Sequence, residues 1–170
     1  MKKSVLILAS LIAMIFVNVE LSAQTATASA TANASARIVV PLEIVKDVDL
    51  AFGNIAAGPA AGTVTIATDG SRSGNGGITL IAAGNSNSAA TFSLTGYPNA
   101  TFTIDVPVST TIASGSDQMV VDNYVSDLGA TSVLDGNGEA TLNVGATLNV
   151  NSNQPSGLYT GTFDVIVAYN

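Results

Sequence analysis

Aspartate side chains carry most of the chemistry that this sequence could support, because it contains no histidine and no cysteine. The lack of both removes the usual nucleophile–base pairs, thiolate nucleophiles and most zinc sites. Two carboxylates can still act together in glycoside hydrolysis, and the spacing of Asp47 and Asp49 would put both on one strand face. Two solvated residues in a turn before Leu50 explain this spacing better, and Asp122 and Asp127 only bracket a loop. We therefore expect no enzymatic activity.

Two glycine-containing stretches resemble ligand-binding loops without their essential features. The stretch "DGNGE" at 135–139 lacks the spacing of an EF-hand, and a hairpin turn built on Asn137 and Gly138 explains it. The stretch "GSRSGNGG" at 70–77 is followed by no helix, so it is predicted to be a loop that binds no phosphate. Its Arg72 is predicted to be solvated. No metal and no cofactor are expected.

The charge balance is acidic, with a formal net charge of −7 at pH 7. Beyond residue 23, the basic residues are Arg37, Lys46 and Arg72. Nucleic acids and anionic membrane surfaces are bound by clustered lysine and arginine. Neither is therefore expected as a partner.

The N-terminus has the features of a secretory signal peptide. Lys2 and Lys3 are basic, residues 5–19 are mostly apolar, and the small residue Ala23 suits a cleavage site. The apolar run is short for a membrane span, which needs about 20 residues, so no stable membrane insertion is expected. We predict a signal peptide at 1–23 and export through the general secretory pathway to the cell surface, the medium or the periplasm.

Short alternating runs bounded by Gly, Asn, Asp and Pro fill the rest of the sequence, without helical periodicity. This pattern is typical of antiparallel all-β proteins, and we predict an immunoglobulin-like two-sheet β-sandwich at 37–170. Met119, Val121 and Val125 are predicted to share one strand face. Most aromatic residues fall at core-facing positions, so no aromatic-lined pocket is expected. The predicted strands are 37–46, 49–52, 62–67, 77–82, 90–95, 101–106, 118–125, 140–150 and 159–169.

The last predicted strand has one apolar face, because side chains alternate sides along a strand. That face consists of Tyr159, Phe163, Val165, Val167 and Tyr169. The sequence continues only to Asn170, so we expect no later hairpin partner for this strand. An apolar strand with an unpaired edge invites aggregation, so we expect another strand to cover it.

The stretch 24–36, an N-terminal extension to the domain, is a candidate for that covering strand. It places alanine at every second position, and extended it could reach about 40 Å at roughly 3.3 Å per residue. It could fold back onto its own domain, be donated to the next copy of the molecule, or remain a flexible leader. Ile38 and Val40 continue the alternation but are assigned to the domain. The candidate donor residues are Ala26, Ala28, Ala30, Ala32, Ala34 and Ala36.

Three motifs together resemble the DUF4402 family of exported bacterial proteins. They are "ASARIVVPLEIVKDVDLAFGNIAAG" at 34–58, "GYPNATFTIDVP" at 96–107 and "TLNVGATLNVNSNQPSGLYTGTFDVIVAYN" at 141–170. They span nearly the whole domain in order. The resemblance implies an exported protein and assigns no activity.

The C-terminal end of the sequence also resembles the closing strand of chaperone–usher pilus subunits and of spore-coat-U-type domains. Such strands alternate apolar residues, as Phe163, Val165 and Val167 do, and end in a penultimate aromatic residue, here Tyr169. They also carry a glycine near the position of Gly157. The resemblance implies that a periplasmic chaperone first binds this strand and that a neighbour's N-terminal extension then replaces it. Residues 24–36 would be the donor, although they lack the bulkier side chains of most pilin donors, and the disulfide of many pilins is absent.

The function expected from the sequence is that of a non-catalytic structural or cell-surface subunit that assembles with copies of itself or with related subunits. The alternative is a monomeric secreted or periplasmic binding module. Its ligand contacts would lie in the loops at 68–77, 83–89 and 126–138.

Overall fold

The computed structural model describes residues 27–84 and 86–170, and it shows an all-β fold. The signal peptide predicted at 1–23, and residues 24–26 with the candidate donor Ala26, lie outside the described residues. Residues 38–170 form one compact unit. Its strands are β1 (Glu43–Val48), β2 (Asn54–Ile66), β3 (Arg72–Ile81), β4 (Ala90–Thr95), β5 (Thr101–Asp105), β6 (Ser109–Ser114), β7 (Asp117–Ser126), β8 (Thr131–Val133), β9 (Glu139–Val150) and β10 (Ile166–Tyr169).

The strands form two antiparallel sheets, which confirms the predicted β-sandwich. The larger sheet has the order β1-β4-β9-β2-β3, and the β6–β7 pair joins it through β9. The smaller sheet has the order β10-β5-β8. Strand β9 organises the large sheet, because its first half pairs with β4 and its second half with β2, while β7 pairs with residues 144–149.

Alternation along β9 supplies much of the core. Every second residue from Leu142 to Val150 is buried, as period-2 geometry requires for a strand with one inward face. The second half packs with Val64, Met119 and Val121 in one cluster. The first half packs with Phe102 in another. Among the described residues, no polar or charged side chain is buried.

Several strand predictions are confirmed, and others are wrong. The strands at 90–95, 101–106, 118–125 and 140–150 are present within one residue at each end as β4, β5, β7 and β9. Residues 49–52 form no strand, only a single bridge from Ala51 to Ser88. Strands β6 and β8 were not predicted, because β6 is mostly polar and β8 is very short.

The glycine-rich stretch predicted as a loop at 70–77 is largely part of β3. A Cβ on Gly74 would lie 2.6 Å from Ile78 Cδ1 and 3.1 Å from Leu80 Cγ. In a straight strand, residues 74 and 80 would be about 20 Å apart, so β3 bends sharply. Strand β2 bends with it, at a break in register between Ala57 and Gly62. We call this bent pair of strands, residues 54–81, the folded ribbon.

Arg72 lies at the end of the folded ribbon where β2 turns into β3, and it hydrogen-bonds to the opposite end. The prediction of a solvated side chain is therefore wrong. Its Nη1 donates to the carbonyl oxygens of Phe52 at 3.0 Å and Asn54 at 3.3 Å. Its Nη2 donates to the carbonyl oxygen of Ile81 at 3.0 Å. The forked guanidinium suits this role because it presents several donors in fixed directions.

Replacing Arg72 by methionine should therefore destabilise the domain. Hydrogen bonds from a charged donor each contribute about 1.5–3 kcal/mol, but this site is only partly buried, so we expect a total loss of about 2 kcal/mol. Urea denaturation followed by circular dichroism measures it. Arg72→Lys keeps the charge but loses the fork, and it should fall between wild type and Arg72→Met. Equal stability of Arg72→Met and wild type would contradict this role.

The turn predicted at 135–139 is present, but it is not a hairpin. Its Gly138 has a φ of 85°. The Asp135 carboxylate accepts hydrogen bonds from the backbone N–H groups of Asn137 and Glu139. The strands on either side of the 135–139 turn, β8 and β9, pair in different sheets. In the part of the chain that the structure describes, no helix is long and apolar enough to span a membrane.

Candidate functional groove

A groove of about 1040 Å³ opens into the apolar interior of the domain. It is larger than most pockets for small molecules, which measure about 300–1,000 Å³. Its apolar lining comes from Leu50, Ala51, Phe52, Ile55, Ala56, Ala57, Ala90, Phe92, Ile112, Met119, Val121, Tyr124, Leu148, Val150, Leu158, Tyr159 and Phe163. Among the lining residues, the only lysine and the only aspartate are Lys46 and Asp49, which form an ion pair at 2.6 Å. The groove is therefore nearly neutral.

The first wall of the groove is one edge of residues 54–57, at the beginning of β2. Residues 54–57 pair with β3 along one edge. The pairing of β2 with β9 begins only at Gly62. Within the described residues, no strand pairs with the second edge of residues 54–57. That edge borders the groove. Apart from the Asn54 carbonyl oxygen, which accepts from Arg72, its outward backbone groups are placed to pair with another strand.

The second wall is the stretch 157–165, which we call the C-terminal segment. The strand predicted at 159–169 is wrong in extent, because only Ile166–Tyr169 pairs as β10. In the C-terminal segment, Thr160 exchanges two backbone hydrogen bonds with Ala113, at 2.9 and 3.0 Å. Across the described ranges, the structure gives the segment no other backbone–backbone hydrogen bond. The alternation of its side chains is nevertheless present, with Phe163 and Val165 half-buried.

Aromatic side chains meet in the groove, contrary to the expectation that no aromatic-lined pocket exists. The ring of Phe163 lies 5.0 Å from that of Tyr124 and 6.4 Å from that of Phe92, centroid to centroid. The Phe92 contact is edge-to-face at 85°, a favourable arrangement. The hydroxyl of Tyr124 is 2.5 Å from that of Thr110. Burial raises the pKa of the Tyr124 phenol above its ordinary value, although the Thr110 hydrogen bond opposes the shift.

Tyr124 enters the groove because of an irregularity in β7. Asn123 has a φ of 49°, and the register with β9 shifts between Asp122 and Val125. An extra residue in one strand exchanges the faces of the residues that follow. Tyr124 consequently faces inward and Val125 is 51% exposed, so the prediction that Val125 shares the face of Met119 and Val121 is wrong.

The candidate C-terminal residues divide into two groups. Gly157, Tyr159 and Phe163 line the groove. Val165, Val167 and Tyr169 pack on the other core cluster with Phe102. Tyr169 also holds Val40, which lies where the chain enters the domain. Its hydroxyl accepts from the N–H of Tyr97 at 2.6 Å and donates to the carbonyl oxygen of Val40 at 3.1 Å.

The described part of the N-terminal extension, residues 27–36, contains no strand, and all its residues are exposed. Ala28, Ala30, Ala32, Ala34 and Ala36 all belong to this exposed stretch. Folding back onto the same domain, donation to another copy and a flexible leader all stay predictions.

The candidate carboxylates are engaged locally. Asp47 accepts a hydrogen bond from the Ser93 hydroxyl at 2.6 Å, and Asp49 pairs with Lys46. Asp127 accepts from the backbone and side chain of Asn143. Among the described residues, no group of three carboxylates is placed to hold a metal ion. The loops predicted to bind a ligand, at 68–77, 83–89 and 126–138, contribute no residue to the groove.

Comparison with known proteins identifies a family. Residues 42–169 match the family model described as "Domain of unknown function (DUF4402)". No curated protein matches the chain. No solved structure matches it either.

Proposed function

The chain belongs to the DUF4402 family, and from this premise and the groove geometry we propose that it is a non-catalytic, exported structural subunit. In this proposal the groove of one copy receives residues 24–36 of the next, added as an extra strand. The observation that carries it is the gap between two walls that both present unpaired backbone. An added strand would complete the sandwich.

Backbone pairing supplies most of the affinity in this arrangement. The groove edge of residues 54–57 and the C-terminal segment can each bond one side of an inserted strand. Each backbone hydrogen bond contributes about 0.5–1.5 kcal/mol net, so a ladder on two sides amounts to several kcal/mol. An inserted strand would also shield the half-buried rings of Phe92, Tyr124 and Phe163.

The N-terminal extension matches the groove in charge and pattern. Residues 24–36 contain no charged side chain, and a nearly neutral groove has no ion to compensate one. Alternate alanines give the strand one small apolar face and one polar face of Thr, Ser and Asn. The apolar face can turn inward while the polar face remains in water.

The hydrogen bond between Tyr169 and Val40 favours a neighbour's extension over the chain's own. Because Val40 lies beside Tyr169, an extension that folded back along its own C-terminal segment would run parallel to it. A neighbour's extension is free to run antiparallel, which is the slightly more stable pairing. Head-to-tail contacts of this kind do not close on themselves, so they produce a filament.

The predicted export and chaperone complete the proposal. A chain with a signal peptide at 1–23 reaches the outside of the cytoplasm with its groove open. A periplasmic chaperone that lends a strand to the groove would protect it until a neighbour's extension replaces that strand.

Deleting residues 24–36 tests the proposal. Sedimentation velocity of the mature chain, 24–170, should show concentration-dependent association. The chain that lacks residues 24–36 should stay monomeric, and its circular dichroism spectrum should be unchanged. Ala32→Asp should weaken association at least 100-fold, because burying an unpaired charge costs several kcal/mol. Thr31→Asp is the matched control: it adds the same charge to the outward face and should have little effect.

Two outcomes would count against this function. If the full mature chain remains monomeric at every concentration, strand donation is wrong. If a small apolar ligand then raises the melting temperature, the groove belongs to a monomeric binding module instead.

A further inference from the structure

Ile38 is the most exposed large apolar side chain of the described residues, at 97%. Val40 is 52% exposed, and residues 27–42 contain no strand. Single exposed apolar residues are common. Ile38, however, continues the same period-2 face as Ala28 to Ala36, so it would face inward wherever those alanines do.

From this continuity we infer that Ile38 is the anchor of the donated strand, the side chain that inserts most deeply into the neighbour's groove. The inference rests on the proposed function and names the residue that dominates the contact. An alanine methyl group buries little apolar area, whereas isoleucine buries three further carbon atoms. Hot spots of this kind sit in well-packed, water-free pockets within an interface.

The groove has a pocket where this anchor would arrive. In the antiparallel orientation, the C-terminal end of the donated strand lies toward the start of the C-terminal segment, near Tyr159. There, Ile112 and Tyr159 pack against Met119 and Val150, and all four line the groove. These side chains are apolar except for the Tyr159 hydroxyl, which accepts from Gln154 at 2.9 Å and donates to Pro155. A branched aliphatic side chain fits such a site.

Proximity to the folded domain makes Ile38 an effective anchor. Leu42 packs against the core of its own domain, so only a few residues separate Ile38 from a fixed point. A side chain close to a rigid body loses less conformational freedom on binding than one in the middle of a flexible extension. The two domains would therefore be held end to end with a short link between them.

Substitution of Ile38 in the mature chain 24–170 tests the inference. Ile38→Ala removes three buried carbon groups at about 0.8 kcal/mol each and should weaken association about 50-fold. Ile38→Val removes one and should weaken it about 4-fold. Neither should change the unfolding midpoint of the monomer, because the side chain is exposed there. Val108→Ala is the matched control, since Val108 is 89% exposed but lies outside the extension.

The outcomes separate this inference from the proposed function. If deletion of residues 24–36 abolishes association and Ile38→Ala leaves it unchanged, the anchor is wrong and strand donation stands. If the mature chain does not associate, or associates equally after the deletion, both are wrong. A loss of association with Ile38→Ala that Val108→Ala reproduces equally would also overturn the anchor.

Discussion

Gly77→Ala is expected to destabilise the domain by about 3 kcal/mol or more. A Cβ at this position would overlap the backbone carbonyl group of Ala60 and approach the Ala60 Cβ at 2.8 Å. Gly58 and Gly62 of β2 also lie close against β3, so the two strands are in contact along this stretch. Relief would require β2 and β3 to separate, with loss of their pairing. Forced overlap in a packed region commonly costs about 1–3 kcal/mol, and the broken pairing adds to it.

Gly136→Ala is the matched control for this prediction. Its Cβ would meet no atom within 4 Å, and the residue is exposed. Denaturant titration of both variants should therefore show a large shift for Gly77→Ala and almost none for Gly136→Ala. Equal midpoints for the two variants would mean that the ribbon is not closely packed at its bend.

Phe102→Ala is the second substitution with a large expected effect. Phe102 is completely buried in β5, next to Leu134 and Leu142 in one core cluster. Truncating a buried phenylalanine costs about 3–5 kcal/mol through lost burial and the cavity that remains. Strand β10 pairs with β5, and Tyr169 lies opposite Phe102. The substitution should therefore also weaken the hydrogen bonds of Tyr169 to Tyr97 and Val40.

Thermal unfolding of Phe102→Ala measures the loss, and Val133→Ala serves as the control. Val133 lies in β8, the other neighbour of β5, but is 54% exposed. A fall in melting temperature of comparable size in both variants would contradict the central place of Phe102 in this core.

The sequence predicts an element well where one face of a strand is uniformly apolar. Strands β4, β5 and β9 lie within one residue of the predicted bounds because period-2 alternation alone sets their inward faces. The same alternation identified Tyr159 and Phe163, which line the groove. It could not show that the C-terminal segment pairs only at Thr160, because pairing depends on which strand lies alongside.

The features that escaped prediction depend on contacts distant in sequence. Arg72 looked solvated because its acceptors, Phe52 and Ile81, come close only once the ribbon folds. The only feature of the sequence that indicates such a structural role is that Arg72 is a lone arginine within a glycine-rich run. Tyr124 was missed because the irregularity at Asn123 exchanges the faces of β7, and an asparagine alone does not predict one. The groove lies where no described strand pairs with one edge of residues 54–57, and the sequence pattern of a single strand does not predict which of its edges is paired.

The apolar interior has a consequence for tolerance to acid and alkali. Since no described polar or charged side chain is buried, few groups bind protons differently in the folded and unfolded states, which is what makes stability depend on pH. Two exposed turns and the half-buried Tyr124 are exceptions. Hydrogen bonds from the hydroxyl and backbone N–H of Ser71 lower the pKa of Asp69. Backbone N–H groups of Glu139 and Asn137 lower that of Asp135.

A lowered carboxyl pKa contributes stability that is present above the unfolded pKa and is lost as the pH falls through the folded value. Strong acid should therefore loosen these two surface turns first and leave the interior intact. At the alkaline extreme the raised pKa of Tyr124 acts in the opposite sense, since its contribution is lost as the pH rises through the folded value. Alkali should thus destabilise the groove first, at Tyr124, whereas acid should first destabilise the surface turns at Asp69 and Asp135.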